Sequence, residues 1–441
     1  MGAHFNQRRW AAPAVGLVAF VVYVAAPQRV QSDSIWTVPT ALSLTQRGDL
    51  NLDEYRPACE RLQHGCSELH GHLVSDFPVA PALFAAVGVG VFDGLLRMIR
   101  PLLVMSPAGA HQVTRWETHR DALGDIDPGF FDVTENLVAS ACVAAAVALF
   151  FVAARRRFAQ EPTWLPLAAT ATLALGTGAF STASRVLWQH GPAMLCVSGA
   201  LVLLTTPGPA SRRQRFALGA VLAAGWVCRP TMSLFAAAVL VMLLWTRPRE
   251  LPFVLLGGAL VVAAFVGLNL ATLGQPLPPY FVAARLDPFG AHVPEALAGN
   301  LVSPSRGLLL FTPLTLFVPL GIATALRQQR EARALPLALA AWLGLHWLAV
   351  STFPHWWGGH SLGPRFWAET SPALVWLAAL ALTQHPSRAR VLALATVALV
   401  GVAVHTRGSM SLKPWRWNDT PVNVDQAPER LWDWRDPQFL R

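Results

Sequence analysis

The sequence predicts an all-α, polytopic integral membrane protein with about eleven transmembrane helices and interfacial helices in a long first outer loop. Hydrophobic residues make up 54% of the 441 residues, and Asp, Glu, Lys and Arg only 13%, whereas a soluble domain carries about 25% charged residues. The mean hydropathy is +0.41, and apolar runs near the length of a membrane-spanning helix recur along the chain. These observations exclude a water-soluble and a disordered protein.

Eleven apolar segments are predicted to span the bilayer. They are Ala11–Ala26, Asn136–Ala153, Trp164–Thr182, Pro192–Thr205, Phe216–Cys228, Met232–Trp245, Leu251–Leu273, Leu308–Ala325, Leu335–Thr352, Pro372–Thr383 and Val391–His405. Several are shorter than the roughly 20 residues that a crossing needs, so their helices must extend into flanking polar residues. A cleaved signal peptide that ends at Ala26 is the alternative for the first segment.

The arginines support this alternation of loops. If the N-terminus is cytoplasmic, the inner segments hold Arg8, Arg9, Arg155, Arg156, Arg157, Arg212, Arg213, Arg215, Arg247, Arg249, Arg327, Arg330, Arg333, Arg388 and Arg390. With three acidic residues, the inner face has a net charge of +12, and the remaining 19 basic and 22 acidic residues give the outer face −3. Because cytoplasmic loops retain positive charge, the split predicts a multi-pass membrane protein with a cytoplasmic N-terminus and an external C-terminus. The richness in arginine and alanine, with a single lysine, suggests that this membrane is a bacterial inner membrane. The charge split also explains the basic balance without a nucleic-acid partner.

The same rule decides the apolar segment Pro78–Met105. One additional crossing there would invert every later loop and place the arginines outside. We therefore expect an interfacial or re-entrant helix on the outer face, or a pair of helices that returns to it. The whole chain, 1–441, is then a single transmembrane domain with a first outer loop at 27–135 and a short outer tail at 406–441. Since its long loops are all external, we expect the function on the outer face.

Carboxylates in the first outer loop are candidates for a catalytic base. Asp33 comes a few residues after the first span, at the edge of the bilayer, where partial desolvation is expected to raise its basicity. Asp49 and Asp76 are secondary candidates, although Asp49 is also typical of a turn. The alternative for any such residue is a helix cap in a wet loop.

The first outer loop also contains paired histidines and cysteines. His70 and His72 lack a third ligand at a suitable spacing, so we predict no metal site. Cys59 and Cys66, with six residues between them, are expected to form a disulfide on the oxidising side of the membrane.

Three clusters at outer helix ends combine arginine with glycine, serine, histidine or tryptophan. Their candidate binding residues are Arg185, His190, Arg306, Trp356, Trp357, His360 and Arg365. The alternative is arginines that reach lipid headgroups beside a tryptophan belt. An arginine fork is suited to a phosphodiester, and tryptophan faces can stack on sugars. With one carboxylate, these groups suit the transfer of a sugar from a lipid phosphate, for which no cofactor is required and a divalent metal is allowed but not indicated.

Several outer-face motifs resemble those of a known enzyme group. They are Ser32-Asp33-Ser34-Ile35-Trp36, Gly48-Asp49-Leu50-Asn51-Leu52, Ser75-Asp76-Phe77-Pro78, Trp188-Gln189-His190-Gly191-Pro192, Ser303-Pro304-Ser305-Arg306-Gly307, the segment from Trp356 to Arg365, and Leu431-Trp432-Asp433-Trp434. In order and sidedness they resemble the GT-C superfamily of polytopic glycosyltransferases, in its protein O-mannosyltransferase/aminoarabinose transferase-like group (glycosyltransferase family 39-like).

The resemblance implies a polyprenyl-phosphate sugar donor, an inverting transfer and a catalytic aspartate that falls on Asp33. The acceptor would be a hydroxyl of a glycan, a lipid or a protein. The sequence departs from better-known members because it lacks an Asp-Glu pair at Asp33 and a large C-terminal soluble domain, and the second departure favours a small or lipid-borne acceptor.

A lipid or sugar transporter, or a flippase, is the competing hypothesis. Such proteins place ionisable residues near the middle of the bilayer, on broken helices. Here the predicted spans are almost free of charge, and the charged residues lie at their outer ends. This distribution favours the enzyme.

Overall fold

The computed structural model describes residues 2–29, 33–121, 124, 128–282, 286–384 and 386–441. Its helices are α1 Gly2–Ala25, α2 Thr37–Gln46, α3 Arg56–Leu62, α4 Ala80–Leu103, α5 Pro107–Asp121, α6 Pro128–Arg157, α7 Trp164–Leu175, α8 His190–Leu204, α9 Arg212–Cys228, α10 Met232–Thr246, α11 Leu251–Leu273, α12 Pro279–Val282, α13 Val293–Val302, α14 Leu308–Phe311, α15 Val318–Leu326, α16 Arg330–Ser351, α17 Ser371–Leu380, α18 Arg388–Met410 and α19 Lys413–Arg416. An antiparallel hairpin of β1 Cys66–Leu69 and β2 His72–Ser75 pairs Cys66 with Ser75.

Each of the eleven predicted spans coincides with a helix or an interrupted run of helices, which confirms the all-α, polytopic fold class. Two spans are not continuous. After α7 the chain makes a π turn at Ala179–Ala183, and the span that begins with α14 is interrupted by a 3₁₀ turn at Pro313–Phe317 before α15. Pro313 explains the second break because a proline has no N–H to donate and pushes the preceding residue out of the helical conformation.

Five described helices are long and apolar enough to cross a membrane by length and composition. They cover Ala80–Leu103, Phe130–Arg157, Pro248–Leu273, Arg330–Ser351 and Arg388–Met410. The first of them, α4, is the segment that we assigned to the outer face from the arginine distribution. Its length does not decide between the two placements, so that assignment stays a prediction.

Helices α4 and α5 form an antiparallel pair. Trp116 Nε1 donates to Asp93 Oδ1 at 2.6 Å, and Arg100 Nε lies 3.3 Å from Glu117 Oε1. The chain therefore runs out along α4 and returns along α5 before α6 begins. We expected an interfacial or re-entrant helix, or a helical pair, within Pro78–Met105; the structure has one helix, α4, over that segment, and its partner α5 lies beyond it.

The loops that we predicted to be cytoplasmic meet at one end of the bundle. Their contacts are Arg157 with Gln328 Oε1 at 2.8 Å, Arg156 with Val202 O at 2.8 Å, Arg215 with Glu250 at 2.6 Å and Arg330 with Trp245 O at 2.8 Å. The side chains of Arg8 and Arg9 lie outside the described part of the chain. The other loops gather at the opposite end, as an alternating path through the bundle requires.

Candidate functional site

A cavity of about 680 Å³ opens at the end of the bundle opposite the arginine-rich loops. Helix α8 connects the two ends, because it begins at the cavity with His190 and finishes beside Arg156. The first outer loop, the turn between α9 and α10, α12 and the segment after α16 complete the wall. The polar residues that line it are Asp33, Ser34, Thr37, Gln189, His190, Arg229, Thr231, Tyr280, His355, Arg365 and Asp425.

Asp33 begins a short 3₁₀ turn, Asp33–Trp36, and carries two cationic partners in the cavity. Arg365 NH1 lies 2.9 Å from Asp33 Oδ2, and His64 Nε2 lies 3.2 Å from Asp33 Oδ1. The Asp33 side chain keeps 25% of its surface exposed, so a ligand in the cavity can reach it. Ser32, the first residue of the sequence motif, lies outside the described residues.

The partners of Asp33 lower its pKa, whereas we expected the pKa to be raised. Burial alone would raise the pKa of Asp33, but the charges and hydrogen bonds of Arg365 and His64 outweigh it and hold the pKa well below its usual range. The expectation that the bilayer edge raises the basicity of Asp33 is therefore wrong for this state of the site.

His64 gives the site a pH dependence that can be measured. Its hydrogen bond to Asp33 raises the pKa of His64 above its ordinary value of about 6.5. The pair therefore stabilises the fold fully below about pH 6.5, and this stabilisation is lost as the pH rises through the pKa of His64 in the folded protein. We expect thermal unfolding in detergent to show a His64→Gln deficit at pH 5.5 that disappears at high pH.

The matched control for this experiment is His111→Gln, since His111 is exposed on α5. The thermal stability of this variant should match that of the wild type at each pH that is compared. A His64→Gln deficit that grows as the pH rises would contradict the assigned ion pair.

Arg365 is packed against aromatic rings and retains an unused donor. Its guanidinium carbon lies 4.8 Å from the centroid of the Trp188 ring and 5.5 Å from that of Phe366. Among the described residues, no group accepts a hydrogen bond from the buried Arg365 Nε. A Cβ at Gly358, where φ is +75°, would lie 2.9 Å from this nitrogen, so only glycine allows the arginine to lie against the backbone. The Arg365 guanidinium thus lines the cavity wall, with its Nε buried against Gly358.

A second charged group lies behind the cavity wall. The fully buried Glu369 has His190 Nδ1 at 2.7 Å from its Oε2 and Arg229 NH1 at 2.5 Å from its Oε1. His190 and Arg229 line the cavity, as we expected for His190, whereas Glu369 does not. The carboxylate compensates the buried arginine and orients both side chains. Our sequence reasoning missed Arg229 and Glu369; the only signal was an arginine in the short outer turn between two predicted spans.

Two arginines that we predicted to bind the donor have structural roles instead. Arg185 donates to Tyr23 O and to Ala26 O at 3.1 Å, so it caps the C-terminal end of α1. Arg306 is 1% exposed, and its guanidinium donates to five acceptors: Trp357 O, Ser305 O, Gln438 Oε1, Gly359 O and Asn418 Oδ1. Neither arginine lines the cavity, because every direction from which an anion would approach is occupied by protein.

The tryptophans of the late outer loop also face protein. Trp356, at 2% exposure, packs in a cluster with tail residues Trp417, Val424 and Leu431. Trp357 Nε1 donates to Asp425 Oδ1 at 2.7 Å. His360 Nε2 lies 3.0 Å from Asn423 Oδ1. These three predicted site residues hold the C-terminal tail and do not line the cavity.

The secondary candidates of the first outer loop lie outside the cavity. Asp49 Oδ1 accepts hydrogen bonds from Ser43 Oγ and from the amide of Asn51, as a turn residue does. Asp76 accepts from Ser67 Oγ at 2.6 Å. Within the described ranges there is no group of three or more His, Cys, Asp and Glu side chains arranged to hold a metal ion.

Cys59 and Cys66 form the expected disulfide, with their Cα atoms 6.2 Å apart. The bridge closes a short loop that carries His64. The backbone carbonyl of His64 also accepts a hydrogen bond from Trp36 Nε1 at 2.7 Å. The covalent loop and this hydrogen bond together hold the histidine beside Asp33.

Comparisons with known proteins identify the fold. No protein-family model and no curated protein matches this sequence. Among solved structures, the chain is similar to ArnT from Cupriavidus metallidurans bound to undecaprenyl phosphate, with a TM-score of 0.52 and 17% sequence identity over 92% of this chain. The chain spans 64% of the length of that protein. This likeness shows that the two proteins share a fold, in agreement with the all-α, polytopic membrane fold that the sequence predicted.

Proposed function

We propose that this protein is a membrane glycosyltransferase that moves a sugar from a polyprenyl-phosphate donor to an acceptor hydroxyl on the outer face, with inversion. The observation that carries the proposal is the Asp33–Arg365 pair in the cavity, with 2.9 Å between carboxylate and guanidinium. The Asp33 carboxylate can accept a proton from the acceptor hydroxyl, and the Arg365 guanidinium can bind the donor phosphate. The fold likeness supports it, because the ArnT structure is bound to undecaprenyl phosphate.

The donor phosphate is assigned to the space between Arg365 and Arg229. Both guanidinium groups lie near the Phe366 ring, at 5.5 and 5.2 Å from its centroid. The Arg365 guanidinium lines the cavity, and Glu369 fixes the orientation of Arg229 on the cavity wall. Two arginines can neutralise a phosphate monoanion and the second charge that develops as it leaves. The proposal therefore requires no metal ion.

The polyprenyl chain is assigned to the aromatic side of the cavity. Tyr280 accepts a hydrogen bond from Gln189 Nε2 at 2.9 Å, and Phe281 next to it lies 5.2 Å from Trp226 and 5.5 Å from Phe265 between ring centroids. Trp226 and Phe265 belong to α9 and α11. This wall gives an isoprenoid chain an apolar surface that continues along two predicted spans.

In this mechanism, donor binding activates the base. The phosphate draws Arg365 away from Asp33, and the loss of that partner raises the pKa of Asp33 from its depressed value. Asp33 then takes the proton from the acceptor hydroxyl, whose oxygen bonds to the anomeric carbon of the sugar. The bond from that carbon to the phosphate oxygen breaks, and the arginines stabilise the negative charge of the departing polyprenyl phosphate. One displacement inverts the anomeric configuration.

The proposal places the cavity outside the cytoplasm. The arginine-rich loops meet at the opposite end of the bundle, and positive loops remain cytoplasmic. A periplasmic reporter fused after Arg441 is therefore expected to be active, and a cytoplasmic reporter at the same point inactive. After Arg157 the outcome should be the opposite: a cytoplasmic reporter is expected to be active and a periplasmic reporter inactive. An active cytoplasmic reporter at Arg441 would contradict the placement.

The function is tested with purified protein and a panel of radiolabelled undecaprenyl-phosphate monosaccharides in the presence of membrane extract. Incorporation of label from at least one donor is expected, and Asp33→Asn should remove it. The competing transporter hypothesis predicts that the labelled lipid crosses the bilayer of proteoliposomes and remains chemically unchanged. That outcome, without incorporation from any donor, would contradict the proposal.

A further inference from the structure

The C-terminal tail contributes one described residue to the cavity, and that residue is Asp425. The tail is held firmly, because Arg306 donates to Asn418 and Gln438 at 2.7 Å each. Asp425 itself is oriented by Trp357 Nε1, which donates to its Oδ1 at 2.7 Å. A carboxylate is thus fixed on the wall of the cavity by contacts that the steps assigned to Asp33 and Arg365 do not use.

A pair of glycines connects Asp425 with the proposed phosphate site. A Cβ at Gly358 would lie 2.9 Å from Arg365 Nε, and a Cβ at Gly359 would lie 3.8 Å from Asp425 Oδ2. Both glycines have positive φ, +75° and +62°, which favours glycine at these positions. Adjacent Cα atoms are about 3.8 Å apart. Arg365 and Asp425 therefore lie next to two consecutive residues, neither of which has a side chain to separate them. A group bonded directly to a phosphate at Arg365 would therefore come next to Asp425.

Asp425 retains hydrogen-bonding capacity toward the cavity. A carboxylate has about four acceptor positions, and Trp357 occupies one of them on Oδ1. His360 Nε2 lies 3.6 Å from Oδ2, too far for a hydrogen bond. The side chain is 40% exposed, so Oδ2 can accept hydrogen bonds from a ligand.

We propose that Asp425 binds the ring hydroxyls of the donor sugar and determines which sugar the enzyme accepts. This inference rests on the proposed function, because it takes the group next to the phosphate to be a sugar. The geometry fits a sugar with two adjacent free hydroxyls, which donate to Oδ1 and Oδ2 together. A sugar that lacks one of these hydroxyls leaves an acceptor unpaired and is disfavoured.

The test compares binding of lipids with and without a sugar. Undecaprenyl phosphate is the sugar-free probe, and the panel member with the highest turnover is the sugar-bearing probe. Asp425→Ala and Asp425→Asn are expected to weaken binding of the sugar-bearing lipid by roughly 10- to 100-fold, the factor for a lost hydrogen bond to a charged group. Binding of undecaprenyl phosphate should stay within about twofold of the wild type, because the phosphate contacts the arginines.

Asp419→Asn is the matched control on the same tail. Asp419 Oδ1 lies 3.3 Å from His360 Nδ1, but its side chain is 61% exposed and does not line the cavity. This variant should bind both lipids like the wild type. The Asp425 variants should also change the relative rates with panel sugars that differ in one ring hydroxyl.

The outcomes separate the two proposals. Equal weakening of both lipids by Asp425→Asn, or no weakening of either, would overturn the role of Asp425 and leave the glycosyltransferase proposal intact. If wild-type protein binds neither lipid and Arg365→Ala changes nothing, the proposed function itself fails and this inference fails with it.

Discussion

Replacing Asp33 with asparagine is expected to abolish sugar transfer while the protein still binds its donor. Asparagine keeps the shape of the side chain but cannot take a proton, and loss of a general base costs roughly 10²- to 10⁴-fold in turnover. The same change removes the carboxylate that holds Arg365 NH1 at 2.9 Å. Because a donor phosphate no longer competes with Asp33 for that arginine, we expect undecaprenyl phosphate to bind Asp33→Asn somewhat more tightly.

Single-turnover transfer and lipid binding, measured on the same preparation, check this prediction. Asp49→Asn and Asp76→Asn are the controls, since both residues bond to serine hydroxyls outside the cavity. They are expected to transfer like the wild type. Near-normal transfer by a folded Asp33→Asn protein would show that another residue is the base. Weaker donor binding by this variant would contradict the proposed competition between Asp33 and the donor phosphate for Arg365.

The course of the chain could be predicted because it depends on local sequence properties. Apolar run length sets each span, and the arginines fix which loops share a face. The contacts of Arg157 with Gln328 and of Arg330 with Trp245 O match that assignment. The helix break at Pro313 was missed, although a proline inside an apolar run is a local signal for it.

The candidate site could be predicted only in part, because tertiary contacts decide the role of each arginine. Arg185, Arg306 and Arg365 all stand beside small or aromatic residues at outer helix ends. Arg185 meets the end of α1, 159 residues earlier in the chain, and Arg306 meets the tail, 132 residues later. Of these three arginines, only Arg365 lines the cavity. No local pattern distinguishes these three environments.

The partners of the site were missed for the same reason. His64 lies 31 residues from Asp33, and Glu369 lies 140 residues from Arg229. The first pair forms within the folded first outer loop, and the second forms because helices bring distant segments to one end of the bundle. The sequence indicated residue types that suit the proposed chemistry, and packing decides which of them reach the cavity.

Replacing Arg365 with alanine is expected to weaken binding of undecaprenyl phosphate by roughly 10- to 100-fold and to reduce transfer further. The binding loss follows from the removal of charge-assisted hydrogen bonds to the phosphate, and the additional loss from the charge that develops on the leaving group. Lysine should restore binding only in part, since an ammonium group cannot reproduce the planar fork that stacks on Trp188. Because the Arg365 side chain is only 14% exposed and pairs with Asp33, its loss is also expected to lower thermal stability, so binding is measured on the folded fraction of the protein.

Arg306→Ala is the informative contrast, because it removes an equally charged side chain that lies outside the cavity. Two of its five hydrogen bonds hold the tail, and the deletion leaves Asn418 Oδ1 and Gln438 Oε1 buried without that donor. We expect a loss of about 3 kcal/mol or more in stability and faster proteolysis of the tail. The fraction of the protein that remains folded should bind undecaprenyl phosphate normally. Arg306→Ala could also weaken binding of undecaprenyl phosphate as strongly as Arg365→Ala does. In that case the phosphate is not bound specifically by Arg365, and the assignment of Arg365 as its binding residue is wrong.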